Sequence, residues 1–582
     1  MPGWAIDATG IVVTWIAVIV AAWLVGVWMV KVFQGERTFL HPLVRPVERA
    51  VYWAIGVKED SEQTWWQYTV SLLVFSFVSF LFTYVLLRLQ GHLPFNDFGL
   101  NPQGVGPVAP DLSLNTAVSF MTNTNWQNYT GEQAMSYLSQ MLALVFHNFL
   151  SAAVGIAIAV ALFRGISNRQ VKTLGNFWVD ITRASLYVLI PISIVAALIL
   201  VSQGVIQTFG PYVVAHTLEG AKQVIAVGPF ASQEAIKDLG NNGGGPFNAN
   251  SAHPFENPNG FTNQFELFLE LLLPFALCFT FGKWVGKMRQ GVAIFAAMFI
   301  LLAVFTGISA YAEQAGNPAI TAQGVTQANT ASQAGGNMEG KSVQFGPVYS
   351  AMFEATTTGT STGSVNSSHD SFTPIGGMVA LVQMQLGEID PGGIGAGIYF
   401  MLVFVVVSVF IAGLMVGRTP EYLGKKIESK EVRLAMLAIL IDVFSILGFT
   451  AVSVLVPVGL AGPLNAGAHG FSEILYQFSS ATANNGSAFA GLTGNTVYYN
   501  STGAAAMWIG RFLEHIPILA MAGALAGKKV VPASAGTFAT DRPLFVGLLI
   551  GVVVIVGALT FFPALALGPL LEQFQLHGAF VH

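Results

Sequence analysis

Charged residues are scarce in this sequence. Asp, Glu, Lys and Arg make up 9% of the 582 residues, whereas a soluble domain has about 25%. Hydrophobic residues make up 53%, so the few charges cannot cover the surface of a water-soluble fold. The composition therefore excludes an ordinary soluble domain, and the net charge of −5 gives no indication of a nucleic-acid partner.

Cysteine is almost absent as well. The single Cys278 excludes a disulfide within the chain and a cysteine-based metal site. Residues 1–10 lack the basic segment that begins a signal peptide, so we expect the first apolar segment to be retained as a membrane span. The glycine-rich residues 240–247 lack the Lys-Ser/Thr pair of a phosphate-binding loop.

Long apolar segments are what the sequence has in abundance. Ten are long enough to cross a bilayer, and backbone groups in lipid have to bond within the segment, which predicts helices. The short alternating strands of a membrane β-barrel are not found. We predict an all-α integral membrane fold with about ten transmembrane helices, over residues 11–30, 68–89, 137–163, 185–201, 264–281, 292–311, 372–416, 432–458, 504–525 and 544–567.

The seventh of these segments contains an interruption. Residues 387–397 read GEIDPGGIGAG, and proline and glycine at these positions predict a break in the helix. Non-helical backbone at membrane depth is tolerated only inside protein or beside a water-filled cavity. This segment is therefore expected to line such a cavity.

The distribution of basic residues predicts the orientation. Of the 25 Lys and Arg residues, 20 fall in alternate loops, among them the loops that carry Arg45, Arg164, Lys283, Lys425 and Lys528. Basic loops lie on the cytoplasmic side of a membrane protein. We therefore predict that these loops are cytoplasmic and that the intervening loops and both termini are external.

Four small, polar stretches recur in the predicted external loops, about every 120 residues. They occupy residues 118–129, 239–250, 355–366 and 479–492. A short helical pattern precedes each one, at residues 114–120, 233–239, 348–354 and 472–478. The unit of helix, short pore helix, filter loop and helix is thus expected four times around a central pore, as in potassium channels.

This repeat divides the chain into six parts. The four pore repeats are residues 65–164, 165–289, 290–417 and 418–529. They are preceded by a first transmembrane helix with its cytoplasmic loop at 1–64 and followed by a last transmembrane helix at 530–582.

The chemistry of the four stretches favours a monovalent cation. Glycine lets successive carbonyl groups face one axis, and Thr and Ser add neutral hydroxyl oxygens. Divalent ions prefer carboxylates, which the centres of the stretches lack, so potassium is favoured although sodium is not excluded. Four ordinary turns are the alternative, but their regular spacing argues against it. With Asn123 aligned to three glycines, the predicted ligands are Thr122, Asn123, Thr124, Asn242, Gly243, Gly244, Thr362, Gly363, Ser364, Asn485, Gly486 and Ser487.

Other polar residues near the spans need an interpretation. Gln127 lies just after the first predicted filter residues, Thr122–Thr124, and is expected at the mouth of the filter. Arg511 lies near the middle of the ninth span, where a charge is costly and usually functional, although a salt bridge to Glu514 or Asp442 is an alternative. Glu266 and Glu270 are expected at the membrane interface rather than as ligands.

Four motifs in order resemble the potassium-binding A subunits of bacterial Kdp potassium-transporting ATPases. They are NTAVSFMTNTNWQNYTGE at 115–132, NNGGGPFNANSAHPFENP at 241–258, GRTPEYLGKK at 417–426 and HGFSEILYQFSSATANNGSAFAGL at 469–492. The resemblance extends from about residue 65 to residue 529 without large gaps. The third stretch, ATTTGTSTGSVN at 355–366, is the most divergent from the family pattern.

The resemblance implies a division of labour within a complex. In this family the chain takes K⁺ through its filter and passes it along an intramembrane tunnel to a P-type ATPase, the B component of the complex, and two small components, C and F, complete the assembly. Arg511 would lie near the ion path, and the interrupted seventh span, with Gly392 and Gly393, would form the gate beneath the filter. This chain lacks a DKTGT phosphorylation motif and a Walker motif, which fits a non-catalytic role without a bound nucleotide.

Two alternatives remain open from the sequence. A passive potassium channel or a cation symporter would have the same pore architecture. A membrane scaffold whose loops bind a partner is a more distant possibility.

Overall fold

The computed structural model describes residues 3–93, 96, 98–330, 333–415, 417, 419–532 and 538–576. Within these residues, ten helices are long and apolar enough to cross a membrane, so the predicted all-α membrane fold is confirmed. The predicted end of the seventh segment at residue 416 and the basic Arg418 lie outside the described residues. The ten spans are Asp7–Phe33, Trp65–His92, Ser139–Ser167, Phe177–Ser202, Gly260–Trp284, Met288–Ala322, Gly397–Met415, Ser429–Leu455, Val497–Ala526 and Pro543–Leu576.

The α-helices of the first half of the chain alternate long spans with short segments. They are α1 Gly3–Phe33, α2 His41–Ile55, α3 Trp65–Leu89, α4 Pro110–Met121, α5 Gly131–Ala134, α6 Phe146–Ser167, α7 Phe177–Arg183, α8 Ile190–Ser202, α9 Phe230–Leu239, α10 Gly260–Trp284 and α11 Met288–Ala315. Two π-helical stretches, Ser139–Val145 and Ala184–Leu189, continue into α6 and α8.

The second half follows the same pattern. Its helices are α12 Pro318–Ala322, α13 Gly346–Gly359, α14 Pro374–Gln385, α15 Gly397–Met415, α16 Ser429–Leu455, α17 Pro457–Leu460, α18 Gly467–Ala483, α19 Val497–Trp508, α20 Glu514–Ala526, α21 Pro543–Leu565 and α22 Leu571–Leu576. Further π-helical stretches are Ile509–Leu513 and Ala566–Leu570.

Strands play a minor part in the described residues. Strand β1, Val213–His216, pairs antiparallel with β2, Lys222–Ile225, in a hairpin in which Val213 faces Ile225. Strand β3, Glu421–Tyr422, pairs antiparallel with β4, Lys425–Lys426. Both hairpins lie in loops between spans.

Local sequence explains where several spans begin. The side chain of Thr64 accepts a hydrogen bond from the N–H of Gln67, and the Gln67 side chain accepts from the N–H of Thr64, which is a capping box at the start of α3. Asn259 and Thr262 form the same box before α10. These caps satisfy N–H groups that would otherwise lack partners at the helix start.

The spans fall into a covered group and an outer group. The apolar windows of Ser139–Ser167, Gly260–Trp284, Gly397–Met415 and Val497–Ala526 are 83, 89, 78 and 67% buried, against 28 to 44% for the other six. Each covered span follows a polar stretch, and each polar stretch follows a short helix, namely α4, α9, α13 or α18. The order of outer span, short helix, polar loop and covered span therefore occurs four times.

Helix α10 corrects one expectation about polar residues. Glu266 and Glu270 are fully buried inside the protein, so they are not exposed to water or headgroups as residues at the membrane interface would be. Their position in the sequence indicates a depth near the outer end of a span, but it does not indicate that neighbouring elements cover this helix on almost every side. Helix α9 is one of those neighbours.

The seventh apolar segment is broken as predicted. Helix α14 ends at Gln385 and α15 begins at Gly397, and residues 386–396 between them are not helical. Gly387 and Gly392 have φ values of +84° and +71°, which a glycine adopts without steric cost. The backbone conformation of the break therefore requires positive φ values at positions where the sequence has glycine.

Candidate functional site

The four polar loops leave their short helices in the same way. In each loop one N–H group donates to the carbonyl oxygen five residues earlier, at the end of the short helix. These hydrogen bonds run from Thr124 to Ser119 (3.0 Å), Asn242 to Lys237 (2.8 Å), Thr362 to Thr357 (3.1 Å) and Asn485 to Ser480 (2.9 Å). The four donors are therefore structurally equivalent positions.

Backbone dihedrals define the register more closely. Each loop has two residues with positive φ, separated by one residue: Asn123 (+68°) and Asn125 (+52°), Asn241 (+46°) and Gly243 (+78°), Ser361 (+57°) and Gly363 (+84°), and Asn484 (+63°) and Gly486 (+94°). The third stretch contains two glycines, Gly359 and Gly363, that could align with the glycines of the other loops. Gly359 is the last residue of α13, so Gly363 takes this position.

This register corrects the sequence alignment of the first loop. The counterpart of the three glycines is Asn125, and Asn123 corresponds to the position two residues before them. Asparagine adopts the left-handed region more readily than other non-glycine residues, so the first loop keeps the backbone shape without a glycine. The sequence, with asparagines at both positions, did not distinguish them.

The glycines let each loop pack directly on the next one. A Cβ atom on Gly243 would lie 2.1 Å from the carbonyl oxygen of Thr362, and one on Gly363 would lie 2.2 Å from that of Asn485. A Cβ atom on Gly486 would lie 1.7 Å from the carbonyl oxygen of Thr124. The second loop thus contacts the third, the third contacts the fourth, and the fourth contacts the first.

Side-chain hydrogen bonds join all four junctions, and each is donated by the first positive-φ residue of a loop. Asn123 Nδ2 donates to the carbonyl oxygen of Asn241 (2.7 Å), Asn241 Nδ2 to Thr362 Oγ1 (2.8 Å), Ser361 Oγ to the carbonyl oxygen of Asn484 (3.1 Å) and Asn484 Nδ2 to Thr124 Oγ1 (3.0 Å). Residues 122–125, 241–244, 361–364 and 484–487 therefore form a closed assembly, here named the four-loop ring.

The predicted ligands come together in this ring, but sequence reasoning missed the residues that join it. Asn241, Ser361 and Asn484 lie immediately before three of the predicted triplets, and Asn125 lies immediately after the first. The sequence signal that could have identified Asn241, Ser361 and Asn484 is a polar residue two positions before a glycine.

Backbone oxygens are the groups that the ring leaves for a ligand. Thr124, Asn242, Thr362 and Asn485 are fully buried, and no hydrogen bond to their carbonyl oxygens is formed among the described residues. A buried carbonyl without a partner costs free energy. These four equivalent oxygens are therefore available to a cation.

Most hydroxyl groups of the ring already bond to the protein around it. Thr122 and Thr124 pair with each other (2.7 Å), Ser364 Oγ donates to Asn250 Oδ1 (3.1 Å), and Ser487 Oγ lies 2.7 Å from the Tyr476 hydroxyl. These hydroxyl groups thus hold the loops in place, and their hydrogen bonds to the protein make them less available as ligands than the backbone carbonyls.

The electrostatics of the ring favour positive charge. Helices α4, α9, α13 and α18 all end at the ring, and the C-terminal end of a helix carries a partial negative charge. No carboxylate belongs to the ring itself. The site therefore combines negative helix ends with neutral oxygen atoms.

A buried ion cluster lies behind the second loop. Lys237 Nζ is 2.6 Å from Glu234 and 2.9 Å from Glu256, and all three side chains are fully buried. Burial alone would lower the pKa of Lys237, but the two carboxylates outweigh it and raise that pKa well above its usual value. Lys237 also donates to Asn250 Oδ1 (3.0 Å), and Asn250 Nδ2 donates to the carbonyl oxygen of Gly243 (2.6 Å). The cluster therefore fixes the second loop.

Gln127, the predicted mouth residue, lies beside a large cavity. It lines a cavity of about 610 Å³ that the residues following the four loops also line. Its Nε2 donates to the carbonyl oxygen of Gly245 (2.9 Å), and its Oε1 accepts from the N–H of Gly245 (3.1 Å). Gln127 thus joins the first and second loops beside this cavity.

Replacing Gln127 with Arg is expected to weaken the apparent affinity for K⁺ about tenfold, equal to ~1.4 kcal/mol. The guanidinium adds a positive charge beside the cavity, and the N–H of Gly245 loses its acceptor. Potassium-dependent ATP hydrolysis by the assembled complex, measured over a range of K⁺ concentrations, gives this affinity. Gln323→Arg places the same charge at an exposed position and should change nothing; equal affinities for the two variants would contradict the assignment.

The broken seventh segment lies against the ring. The N–H of Gly392 donates to the carbonyl oxygen of Gly359 (2.7 Å), and the N–H of Ile394 donates to Asn241 Oδ1 (3.2 Å). A Cβ atom on Gly393 would lie 2.0 Å from the carbonyl oxygen of Thr360. The segment therefore contacts both the second and the third loops.

Arg511 also meets this segment. Its Nη1 donates to the carbonyl oxygen of Gly395 (2.5 Å) and its Nη2 to that of Ser151 (3.4 Å), and the side chain is buried. The alternative of a salt bridge to Glu514 or Asp442 is wrong, since Arg511 forms no ion pair within the described part of the chain. Backbone carbonyls brought close by other spans hold the guanidinium instead.

Two acidic residues of the broken segment were not singled out from the sequence. Glu388 and Asp390 are fully buried between α14 and α15. Asp390 Oδ2 accepts a hydrogen bond from Gln383 Nε2 (3.0 Å), whereas neither carboxylate oxygen of Glu388 has a hydrogen-bond partner among the described residues. Their presence in an otherwise apolar span was the available signal.

Comparison with known proteins shows the family to which this chain belongs. The family described as "Potassium-transporting ATPase A subunit" matches residues 12–574. A potassium-transporting ATPase potassium-binding subunit of Bradyrhizobium diazoefficiens is 57% identical over 550 residues, which cover 94% of this chain and 95% of the relative. The subunit of the same name from Methylobacterium nodulans is 58% identical over 545 residues, which cover 94% and 93% of the two chains. This chain therefore belongs to the family of potassium-transporting ATPase A subunits.

Proposed function

We propose that this chain is the potassium-selecting, non-catalytic subunit of an ATP-driven potassium uptake complex in the bacterial plasma membrane. One observation carries the proposal: a closed ring of four loops presents four equivalent, buried carbonyl oxygens without donors. Carbonyl oxygens of this kind replace the hydration shell of K⁺ in a selectivity filter. The relatives at 57 and 58% identity, named potassium-binding subunits, support the choice of ion.

The neutral charge of the ring supports selection of a monovalent ion. A divalent cation is strongly hydrated and binds best to carboxylates, which the ring lacks. The carbonyls of Thr124, Asn242, Thr362 and Asn485 are the leading ligands, and the rest of the twelve predicted residues form the wall of the filter. Asn125 takes the place of a glycine in the first loop.

Transfer of K⁺ to a partner subunit is the part of this proposal that the family resemblance implies. Residues 386–396, including Gly392 and Gly393, form the gate, and the buried charge of Arg511 opposes passage of a cation straight towards the cytoplasm. The ion then leaves sideways through an intramembrane tunnel to the P-type ATPase, the B component of the complex, which hydrolyses ATP. The small components C and F complete the assembly, and this chain binds no nucleotide.

The orientation follows the charge distribution. The four loops and both termini are external, and the basic loops are cytoplasmic. The repeats 65–164, 165–289, 290–417 and 418–529 then each contribute one loop from the external side. Potassium enters past Gln127 from the external cavity.

The test compares the chain alone with the assembled complex. Co-purified with its P-type ATPase partner, the complex should hydrolyse ATP only when K⁺ is present. Reconstituted alone, the chain should carry no sustained K⁺ flux, because the gate and Arg511 close the direct path. Robust flux down a gradient without ATP or partner would favour the alternative of a passive channel or a cation symporter and would refute the proposal.

A further inference from the structure

Helix α2 presents an apolar face away from the protein. Leu43, Val47 and Trp53 are 77, 50 and 86% exposed, and Ala50 and Ala54 on the same side are exposed as well. Positions 43, 47, 50 and 54 follow the spacing of one helix face. This face carries no charged residue, which is unusual for a helix surface in contact with water.

The acidic residue of α2 points into the protein instead. Glu48 is buried and lies 2.9 Å from Arg45 and 3.1 Å from Arg183. The Tyr52 hydroxyl also donates to Glu48 (2.8 Å). Burial raises the pKa of Glu48, but these hydrogen bonds outweigh it and hold the pKa below its usual value, so the carboxylate stays ionised. The ionised carboxylate of α2 thus faces the protein, whereas the apolar face points outward.

The position of α2 places this apolar face next to the membrane. The helix follows α1 after a loop of residues 34–40, and Val44 packs with Val32 at the end of that span and with Tyr187. Helix α2 therefore lies at the level where the spans end. The apolar face continues the lipid-facing surface of these spans.

Unpaired basic residues lie on α2 and in the chain segments on either side of it. Arg37, Arg49 and Lys58 are exposed, and none of them forms an ion pair with any residue the structure describes. Basic side chains near the end of a span reach towards lipid headgroups while their stems stay in apolar surroundings. Their charge is complementary to anionic phosphate groups.

We propose that α2 is an interfacial helix and that its partner is the lipid leaflet on the side of the basic loops. Leu43, Val47, Ala50 and Trp53 insert at the boundary of headgroups and acyl chains, about 5–10 Å deep. Arg37, Arg49 and Lys58 bind anionic phospholipid headgroups. This surface is separate from the ion path, so the proposal does not rest on the proposed function.

An apolar groove extends the contact into the membrane. Val51 and Ile55 of α2 border a groove of about 580 Å³ whose other walls include Phe75, Phe146 and Trp178. The groove begins at α2 and continues between the spans. A phospholipid held by the basic residues would place an acyl chain along it.

Spin labels at single cysteines test the proposal in the full-length chain. Cys278 is fully buried, so labels at Leu43→Cys and Val47→Cys report on α2. In vesicles of phosphatidylcholine and phosphatidylglycerol, both labels should be accessible to oxygen and shielded from a water-soluble nickel complex. A label at Leu218→Cys, in the fully exposed turn of the β1–β2 hairpin, should be open to nickel, and one at Leu24→Cys, in span α1, should lie deeper.

The outcomes separate lipid from other partners. Nickel accessibility at Leu43 and Val47 equal to that at Leu218 would overturn the proposal. Shielding that appears only after the ATPase partner assembles would assign the face to a protein, which would also overturn it. In pure phosphatidylcholine, or with Arg37, Arg49 and Lys58 all changed to Gln, the two labels should become about tenfold more accessible to nickel. No change in either condition would refute the binding of anionic headgroups.

Discussion

Replacing Gly243 with Asp is expected to abolish the selection of K⁺ over Na⁺. A Cβ atom at this position would lie 2.1 Å from the carbonyl oxygen of Thr362, and the backbone there cannot move without opening the ring. The φ of +78° disfavours any residue with a side chain. The new carboxylate also adds a charge beside neutral oxygens, which favours smaller or divalent cations.

Two measurements check this expectation. The first is ATP hydrolysis by the assembled complex in K⁺ and in Na⁺. The second is thermal unfolding of the purified chain, since an ion at 100 times its Kd stabilises the native state by about 2.7 kcal/mol. The Gly243→Asp variant should lose the K⁺-specific part of this stabilisation.

Gly220 provides a matched control for this substitution. Its φ is +83°, and a Cβ atom there would have no neighbour within 4 Å. Gly220→Asp therefore adds the same charge and similar backbone strain in an exposed hairpin. If Gly243→Asp kept the K⁺ preference seen in Gly220→Asp, the assignment of the second loop to the filter would be wrong.

Replacing Lys237 with Met is expected to destabilise the protein by about 3–5 kcal/mol, the cost of leaving a buried charge without its partner. Glu234 and Glu256 would remain fully buried, and Asn250 would lose a donor that holds it against Gly243. We also expect weaker K⁺ affinity, because the carbonyl oxygen of Gly243 would no longer be fixed. Unfolding midpoints and K⁺-dependent ATP hydrolysis measure the two effects.

Two further variants serve as controls for Lys237→Met. Lys222→Met removes an exposed lysine of the β1–β2 hairpin and should have little effect on stability. Lys237→Met combined with Glu234→Gln and Glu256→Gln removes Lys237 and both of its ion-pair partners and should recover part of the loss. Equal stability of Lys237→Met and Lys222→Met would mean that the cluster does not hold the second loop.

Much of the fold could be predicted from the sequence because it depends on local properties. A run of about 20 apolar residues spans a bilayer wherever it occurs in the chain. The break at residues 386–396 depends on glycine and proline at that place. Short helices before the polar stretches were also predicted, although α4, α9, α13 and α18 are longer than their apolar patterns.

The register of the first loop shows where local reasoning failed. Asn123 and Asn125 both tolerate positive φ, and only contacts with the second and fourth loops distinguish them. Asn123 donates to Asn241, whereas Asn125 has the dihedral that glycine has elsewhere. A single sequence contains no measure of those distances.

The salt bridge considered for Arg511 and the interfacial position predicted for Glu266 and Glu270 were wrong for a related reason. Their depth in a span could be predicted, but their partners come from segments far away in the sequence. Arg511 bonds to Gly395 and Ser151 instead of a nearby acid. The two glutamates are buried because other elements cover α10.

The sequence by itself thus determined the number of spans, the four polar loops and the neutral oxygen chemistry, since each depends on residues adjacent in the chain. The tertiary structure alone decided that the loops close into a ring, which oxygen atoms lack donors and that the apolar face of α2 points away from the protein. The physical reason is that closure of the ring depends on hydrogen bonds of about 3 Å between residues 118 to 360 positions apart. Such approaches exist only once the covered spans have packed together.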